Sequence, residues 1–390
     1  MLYRELGKTG EQVSILGFGA MRLPTTNSNG NIDEEKATEM LTYGIDNGIN
    51  IIDTAYTYHT DKMGDDPGNS EPFIGEFLQS GFREKVLLST KSPSWIVEKK
   101  EDLDFYLEEQ LKRLQTDSID IYLLHTLSES NWQTLKSVDV FEFMDRVLES
   151  GKVKHIGFST HAELETLVEI LDDYDKWEVA LTQMNYLDES YQTGLSGLQY
   201  LNSLNVGNMI MEPLRGGRLV QNVPDSVLNI MNNSEVKRTP LEWALEYLWD
   251  MESVDCVLSG MNSIEQVKEN IEIANRSKIN SISSHDKQII KEVAREYNSL
   301  KGNDCTQCMY CMPCPEGVDI PNCFKEYNIS KMLDNPAASA MQYFSLIPDE
   351  NKPENCTKCN KCLRLCPQMI NIPEELDKVH DLFGDEFDHF

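Results

Sequence analysis

The chain has 390 residues, 40% of them apolar, with 35 basic against 65 acidic side chains and a formal net charge of −30. That length suits two or three domains, the acidity excludes a surface built to track nucleic-acid phosphates, and no run approaches the ~18 apolar residues of a membrane span. The opening residues, Met1 to Gly10, are polar and charged rather than an apolar leader, so a cytoplasmic setting with reduced thiols is expected.

Short β-rich runs recur along the first 280 residues: Val13–Phe18, Asn50–Ala55, Val86–Lys91, Ile119–His125, His155–Thr160, Val179–Tyr186, Met209–Leu214 and Cys256–Gly260. Segments with apolar residues at helical spacing lie between them. Asp33 is a candidate N-cap with Glu34 and Glu35 in the first turn. Asn69-Ser70-Glu71 opens a second helix, and Leu103, Tyr106, Leu107 and Leu111 form the stripe of a third. Eight strands alternating with helices over this length predict an α/β fold, a (β/α)8 TIM barrel. The rival is a doubly wound sheet with a glycine-rich phosphate loop after its first strand. Gly17-Phe18-Gly19-Ala20 does not complete that loop, because Arg22 stands where the last glycine belongs. The expected division is a barrel over 1–280, a charged linking helix over 281–300, a cysteine-rich domain over 301–375 and an acidic tail over 376–390.

Nine of the ten cysteines lie between Cys305 and Cys366. One motif is Cys305, Cys308, Cys311 and Cys314 followed by Pro315; the other is Cys356, Cys359, Cys362 and Cys366 followed by Pro367. Three thiolates at x-x spacing turn onto three corners of an iron–sulfur cube, and in two-cluster ferredoxins the fourth comes from the Cys-Pro of the other motif. Two [4Fe–4S] clusters are therefore expected, one on Cys305, Cys308, Cys311 and Cys366, the other on Cys356, Cys359, Cys362 and Cys314. Zinc is the rival, since it takes paired Cys-x-x-Cys units; the third x-x-spaced cysteine in each motif and the absence of histidine speak against it. Cys314 follows a spacing one residue short, so Cys323 is an alternative ligand, although Cys323 and Cys256 read better as small buried hydrophobes. The long connection between the motifs exceeds an ordinary loop and should add helices, which gives a small, mostly α-helical ferredoxin-like domain.

Four polar residues stand at or just past strand ends: Asp53, Tyr58, Lys91 and His125. In a barrel those ends converge on the active site. Together with Leu6-Gly7-Lys8-Thr9-Gly10, Gly17-Phe18-Gly19, Asn69-Ser70-Glu71, Thr90-Lys91, Ile156-Gly157-Phe158-Ser159 and Gln183, in this order, they make the first 280 residues resemble an aldo-keto reductase, and the whole chain resembles the ferredoxin-fused members of that family. The resemblance implies reduction of a carbonyl, or oxidation of an alcohol, with NADP or NAD. It also implies a proton-relay tetrad of Asp53, Tyr58, Lys91 and His125. Tyr58 would supply the proton, Lys91 would lower its pKa, Asp53 would hold Lys91, and His125 would orient the substrate oxygen. Ser159 and Gln183 would hold the nicotinamide carboxamide, Met211 would lie on its ring, and Gly260, Gln266, Glu269 and Asn270 would take the adenine end.

The chain departs from the family at Thr160, where Asn is common, at Met211, where an aromatic is common, and at Gln266, where an arginine often grips the 2′-phosphate. NADP is therefore only weakly favoured over NAD. Nicotinamide moves two electrons and a cluster one; a flavin at the barrel mouth would bridge that gap, but the sequence carries no flavin signature. The expected partners are a small carbonyl or alcohol and a redox protein. Trp95 and the loop His59–Gly68 are candidate pocket walls.

Overall fold

The computed structural model describes residues 1–26, 31–60 and 66–384. The chain forms two compact units, one of Met1–Gly216 with Glu242–Ser283, the other of Gly217–Leu241 with Ser284–Phe390.

In the first unit, β1 (Tyr3–Glu5) and β2 (Gln12–Ser14) form an antiparallel hairpin. Eight further strands follow: β3 (Leu16–Gly19), β4 (Ile51–Asp53), β5 (Leu87–Ser92), β6 (Ile119–Leu127), β7 (Val153–Thr160), β8 (Val179–Gln183), β9 (Gly207–Met211) and β10 (Cys256–Ser259). They close into a parallel barrel in chain order, β10 pairing with both β3 and β9. All eight expected strands are present. The first expected run, Val13–Phe18, divides between hairpin and barrel, because Leu6 and Val13 of the hairpin join the core inside the barrel. Gly7 makes this approach possible: its φ is 52°, and a Cβ there would lie 2.2 Å from the Gly207 amide nitrogen.

The interior follows the period-two alternation of strands. Ile51, Ile121, Leu123, Val179, Leu181 and Met209 pack together in it. Continuing the same phase by two residues reaches Asp53, His125, Gln183 and Met211. In β4, β6 and β8 one face is thus apolar at its start and polar at its end, while β9 ends it on Met211.

The surrounding helices obey local rules. Asp33 caps Glu34–Asp46 by accepting from the Lys36 amide, and Ser263 caps Ile264–Arg276 by accepting from the Gln266 amide. Val140, Phe143, Met144 and Val147 form the buried stripe of Val140–Glu149; each such side chain contributes about 1.5–3 kcal/mol.

The second unit is helical, with no strand among its described residues. Ile320–Met332 and Pro336–Leu346 fill the connection between the cysteine motifs, capped by Asp319 and Asn335. Two boundaries differ from the sequence reading. Residues 217–241, assigned to the barrel, belong to the second unit: Asp286, a buried carboxylate on Ser284–Ser299, accepts from Ser234 Oγ at 2.7 Å and pairs with Arg238 at 2.9 Å. The stretch after Leu376, read as an acidic tail, is helical as far as Phe383. Leu376, Val379 and Phe383 share one face of Ile372–Phe383 and are buried in the unit's core, so the apolar stripe outweighs the charge.

Candidate active site and cysteine-lined hollows

The four expected catalytic side chains converge at the C-terminal ends of β4, β5 and β6. Lys91 Nζ donates to Asp53 Oδ2 at 2.5 Å, to the Thr54 carbonyl at 2.8 Å and to Tyr58 Oη at 3.1 Å. Lys91 is fully buried and Asp53 is 3% exposed. Ser89 Oγ donates to the other Asp53 oxygen at 2.8 Å, so both carboxylate oxygens are occupied. The His125 ring lies edge-on to Tyr58, with centroids 6.0 Å apart, and edge-on to Trp95 at 5.2 Å. Trp95 is thus beside the site, as a pocket wall requires. Residues 61–65 of the other candidate wall lie outside the described residues.

Burial and charge set the protonation states. Burial pushes the Tyr58 phenol upward and outweighs Lys91, whose ammonium acts in the opposite direction. The net direction corrects the sequence expectation of a lowered value: desolvation of a phenolate in this pocket costs more than one neighbouring cation returns. Tyr58 therefore keeps its proton at neutral pH. Burial opposes the Lys91 ammonium, but Asp53 and Tyr58 raise it overall. His125 is held well below the ordinary histidine value by burial first and by the Lys91 charge second, so it is neutral. Its Nδ1 is buried with no hydrogen-bond partner among the described residues.

Ser159 and Gln183 end the inward faces of β7 and β8 and are buried. Gln183 Nε2 donates to Asp188 at 2.7 Å, while its Oε1 is buried without a partner among the described residues. Such an open acceptor suits a carboxamide N–H. Met211 is half-buried at the end of β9. Thr160 turns to its neighbour strand, donating to the Leu127 carbonyl at 2.6 Å. At the adenine end, Glu269 is exposed, but Gln266 Oε1 accepts from the Asn262 amide at 2.9 Å and Asn270 is buried, donating to Ser259 Oγ at 2.9 Å. These two side chains are engaged within the helix terminus and strand end.

The sequence reading passed over several neighbours. Asp188 accepts from Gln183, Asn185 and Arg215 and so fixes the Gln183 amide. Arg22, exposed after β3, passes beside Gly260 and Gly216, where an added Cβ would lie 3.1 Å from its Cδ and 3.3 Å from its Nη2. Only the long-range pairing of β3 with β10 makes that arginine relevant. Glu71, fully buried, accepts from Thr90, Gln110 and Arg113 behind Lys91.

In the second unit the thiols surround two hollows. Cys356, Cys359, Cys362, Cys314 and Cys311 line one, a cavity of about 360 Å³. Cys305, Cys308, Cys311 and Cys366 line the other, of about 20 Å³. Each second-motif or first-motif triplet thus meets the Cys-Pro thiol of the opposite motif. Burial raises the Cys305 thiol, as do Cys308 and Cys366; burial also raises Cys362, as do Cys356, Cys359 and Cys314. Among the described residues no three His, Cys, Asp or Glu side chains are gathered as for a single metal ion; the thiols ring a space. The larger hollow fits a cluster in donors and volume, the smaller in donors. Cys323 lines neither hollow and is buried in Ile320–Met332, and Cys256 is buried in β10.

Comparison with known proteins separates the two cysteine motifs from the barrel, although the family match to the barrel runs through 217–241 and ends inside Ser284–Ser299. A model described as the Aldo/keto reductase family matches residues 15–291, and one described as a 4Fe-4S dicluster domain matches 304–371. Protein tas of Escherichia coli (strain K12) is 25% identical over 328 residues, covering 70% of this chain and 92% of its own. L-galactose dehydrogenase of Arabidopsis thaliana is 28% identical over 292 residues, 69% of this chain and 86% of its own. The solved structure of aldo-keto reductase AKR11C1 from Bacillus halodurans in its holo form shares the fold, with a TM-score of 0.62 at 24% identity over 75% of this chain and 96% of that one.

Proposed function

The chain belongs to the aldo/keto reductase family and carries a 4Fe-4S dicluster domain, and on that premise we propose that it interconverts a small carbonyl and its alcohol with NADP or NAD. The observation that carries this reading is the buried Lys91 ammonium, 2.5 Å from Asp53 and 3.1 Å from Tyr58 Oη. Nicotinamide supplies the hydride when bound. Gln183 Oε1 would accept from its carboxamide, Ser159 and Met211 would flank it, and Arg22 beside Gly216 and Gly260 suits its phosphates. Tyr58, kept protonated by burial, would give its proton to the carbonyl oxygen as negative charge develops there. Lys91 would stabilise the phenolate left behind, and Asp53 keeps Lys91 charged and aimed. His125, neutral, would donate to the same oxygen and orient it.

The eight thiols of the two motifs would hold two [4Fe–4S] clusters, which supply one-electron chemistry. Among the described residues no helix is long and apolar enough to cross a membrane, and the proposed setting is cytoplasmic.

Tyr58→Phe is the direct test. It should lower carbonyl turnover by roughly 10²–10⁴-fold, the worth of a positioned acid, with cofactor affinity unchanged; wild-type turnover in this variant would overturn the assignment. A second reading, an electron-transfer protein with little reductase activity, is favoured by the adjacency of the two hollows, which share Cys311 and Ile320. Anaerobic titration with NADPH separates them. Bleaching of the cluster absorbance supports coupling of the two chemistries, and carbonyl turnover without bleaching supports clusters with a purely structural role.

A further inference from the structure

His125 ends the regular part of β6. The pairing of β6 with β7 runs in step as far as Leu124 opposite Phe158, then shifts before Leu127 opposite Thr160. The shift falls on Thr126, whose φ is 51°. A β-branched residue in the left-handed region is strained and needs outside support. Its two backbone groups are both held by side chains. The Thr126 amide donates to Ser159 Oγ at 2.8 Å, and its carbonyl accepts from Asn131 Nδ2 at 2.7 Å.

Asn131 is fixed in turn. It is the third residue of the helix Glu129–Ser137, and its Oδ1 accepts from the Ser128 amide at 2.6 Å while its own amide donates to Ser128 Oγ at 3.3 Å. This reciprocal capping leaves the amide nitrogen of the side chain facing the bulge. One asparagine therefore joins a helix terminus to the strained residue next to His125. A bulge of this kind re-aims the neighbouring side chain, and among the described residues nothing hydrogen-bonds to His125 Nδ1, so within them the ring's direction rests on its backbone and on packing against Trp95 and Tyr58.

We propose that Asn131 is a positioning residue for His125: by holding the Thr126 carbonyl it keeps the bulge in the conformation that points the imidazole at the substrate oxygen. The inference rests on the reductase reading for its kinetic consequence, but not for its structural one.

Asn131→Asp separates this role from capping. The carboxylate keeps the acceptor for Ser128 and suits a helix N-terminus, yet sets an oxygen against the Thr126 carbonyl. Its melting temperature should fall by less than that of Asn131→Ala, because the cap is kept, and its turnover of an aldehyde probe should fall about 10–100-fold with cofactor affinity unchanged, the cost of a misplacement near 1 Å. In a His125→Ala background the same substitution should cost less than about twofold, since there is no imidazole left to aim. NMR of histidine-labelled protein gives a readout free of catalysis: the His125 ring resonance, shifted by Trp95 and Tyr58, should move in Asn131→Asp. Asn131→Ala should lose both melting temperature and turnover. An unmoved His125 resonance with unchanged turnover overturns the proposal, as does an equal loss of turnover with and without His125. Absent wild-type turnover with a moved resonance would sink the reductase reading and leave the positioning role standing.

Discussion

The two units place their reactive groups in opposite ways. In the barrel, Asp53, His125 and Gln183 continue the inward face of strands whose earlier residues are apolar, so the core that stabilises the fold also aims the site. In the second unit the reactive thiols sit in loops whose backbone repeatedly enters the left-handed region, at Gln307, Met309, Lys358, Asn360 and Met369. The partly buried cysteines themselves pack against that unit's core. A site aimed by strands is complete before any cofactor arrives. A site aimed by loops gathers its ligands around a hollow and depends on what fills it for much of its order.

The largest expected effect tests that contrast. Anaerobic protein should contain about eight irons, the sum of two four-iron clusters. Chelation after oxidation should expose the second unit to proteolysis while the barrel's circular dichroism and its melting persist. A single melting transition lost together with the iron would break the comparison, showing the barrel to be as dependent on metal as its neighbour.

Lys91→Met probes the barrel side. Turnover should fall by about 10²–10⁴-fold. The substitution also leaves Asp53 buried without its cation, which costs about 3–5 kcal/mol and should lower the melting temperature. Unchanged melting would mean that Asp53 is satisfied by Ser89 alone.

Cys366→Ser sharpens the loop side. Cys366 lines the hollow of Cys305, Cys308 and Cys311, not that of its sequence neighbours. The variant should lose about four irons, and spectra should show damage to the cluster on the first motif. Damage confined to the Cys356–Cys362 cluster would refute the crossing.

How far the sequence could be read differs between the units for the same physical reason. Period-two strands announce themselves, and a polar residue closing an inward face marks the strand's C-terminal end, so the convergence of Asp53, Lys91 and His125 was legible. The cysteine spacing pointed to two groups of thiols, and Cys314 and Cys366 each line the hollow of the opposite motif. What escaped depends on contacts distant in sequence. Arg22 matters only once β3 lies beside β10. Asn131 matters only because β6 bulges at Thr126, a residue with no turn signature. The net direction of the Tyr58 shift needs the depth of burial, which no motif encodes. Residues 217–241 carry no periodicity that would tie them to Asp286.

The smallest effect concerns the other end of the barrel. In barrels of this kind the C-terminal ends of the strands carry chemistry and the N-terminal ends carry stability. His155 lies near the start of β7, with Nδ1 at 3.2 Å from Glu178 and Nε2 at 3.7 Å from Glu11 of the hairpin. Burial lowers its pKa, but the two carboxylates outweigh burial and raise it overall. A raised folded-state value means that the folded chain binds this proton more tightly than the unfolded one. The stabilisation is then complete below the ordinary histidine value near 6.5 and is lost as pH rises through the folded value. Asp255, pushed up to about 6 by burial, has the same sign, but it is unchanged in a His155 variant and so cancels from the comparison with the wild type. His155→Gln should therefore lower the melting temperature at pH 5.5, by an amount worth less than about 1 kcal/mol for a partly solvated pair, and leave it unchanged at pH 9. Turnover should not respond at either pH. A loss of turnover in this variant with melting intact would mean that the base of the barrel also takes part in the chemistry.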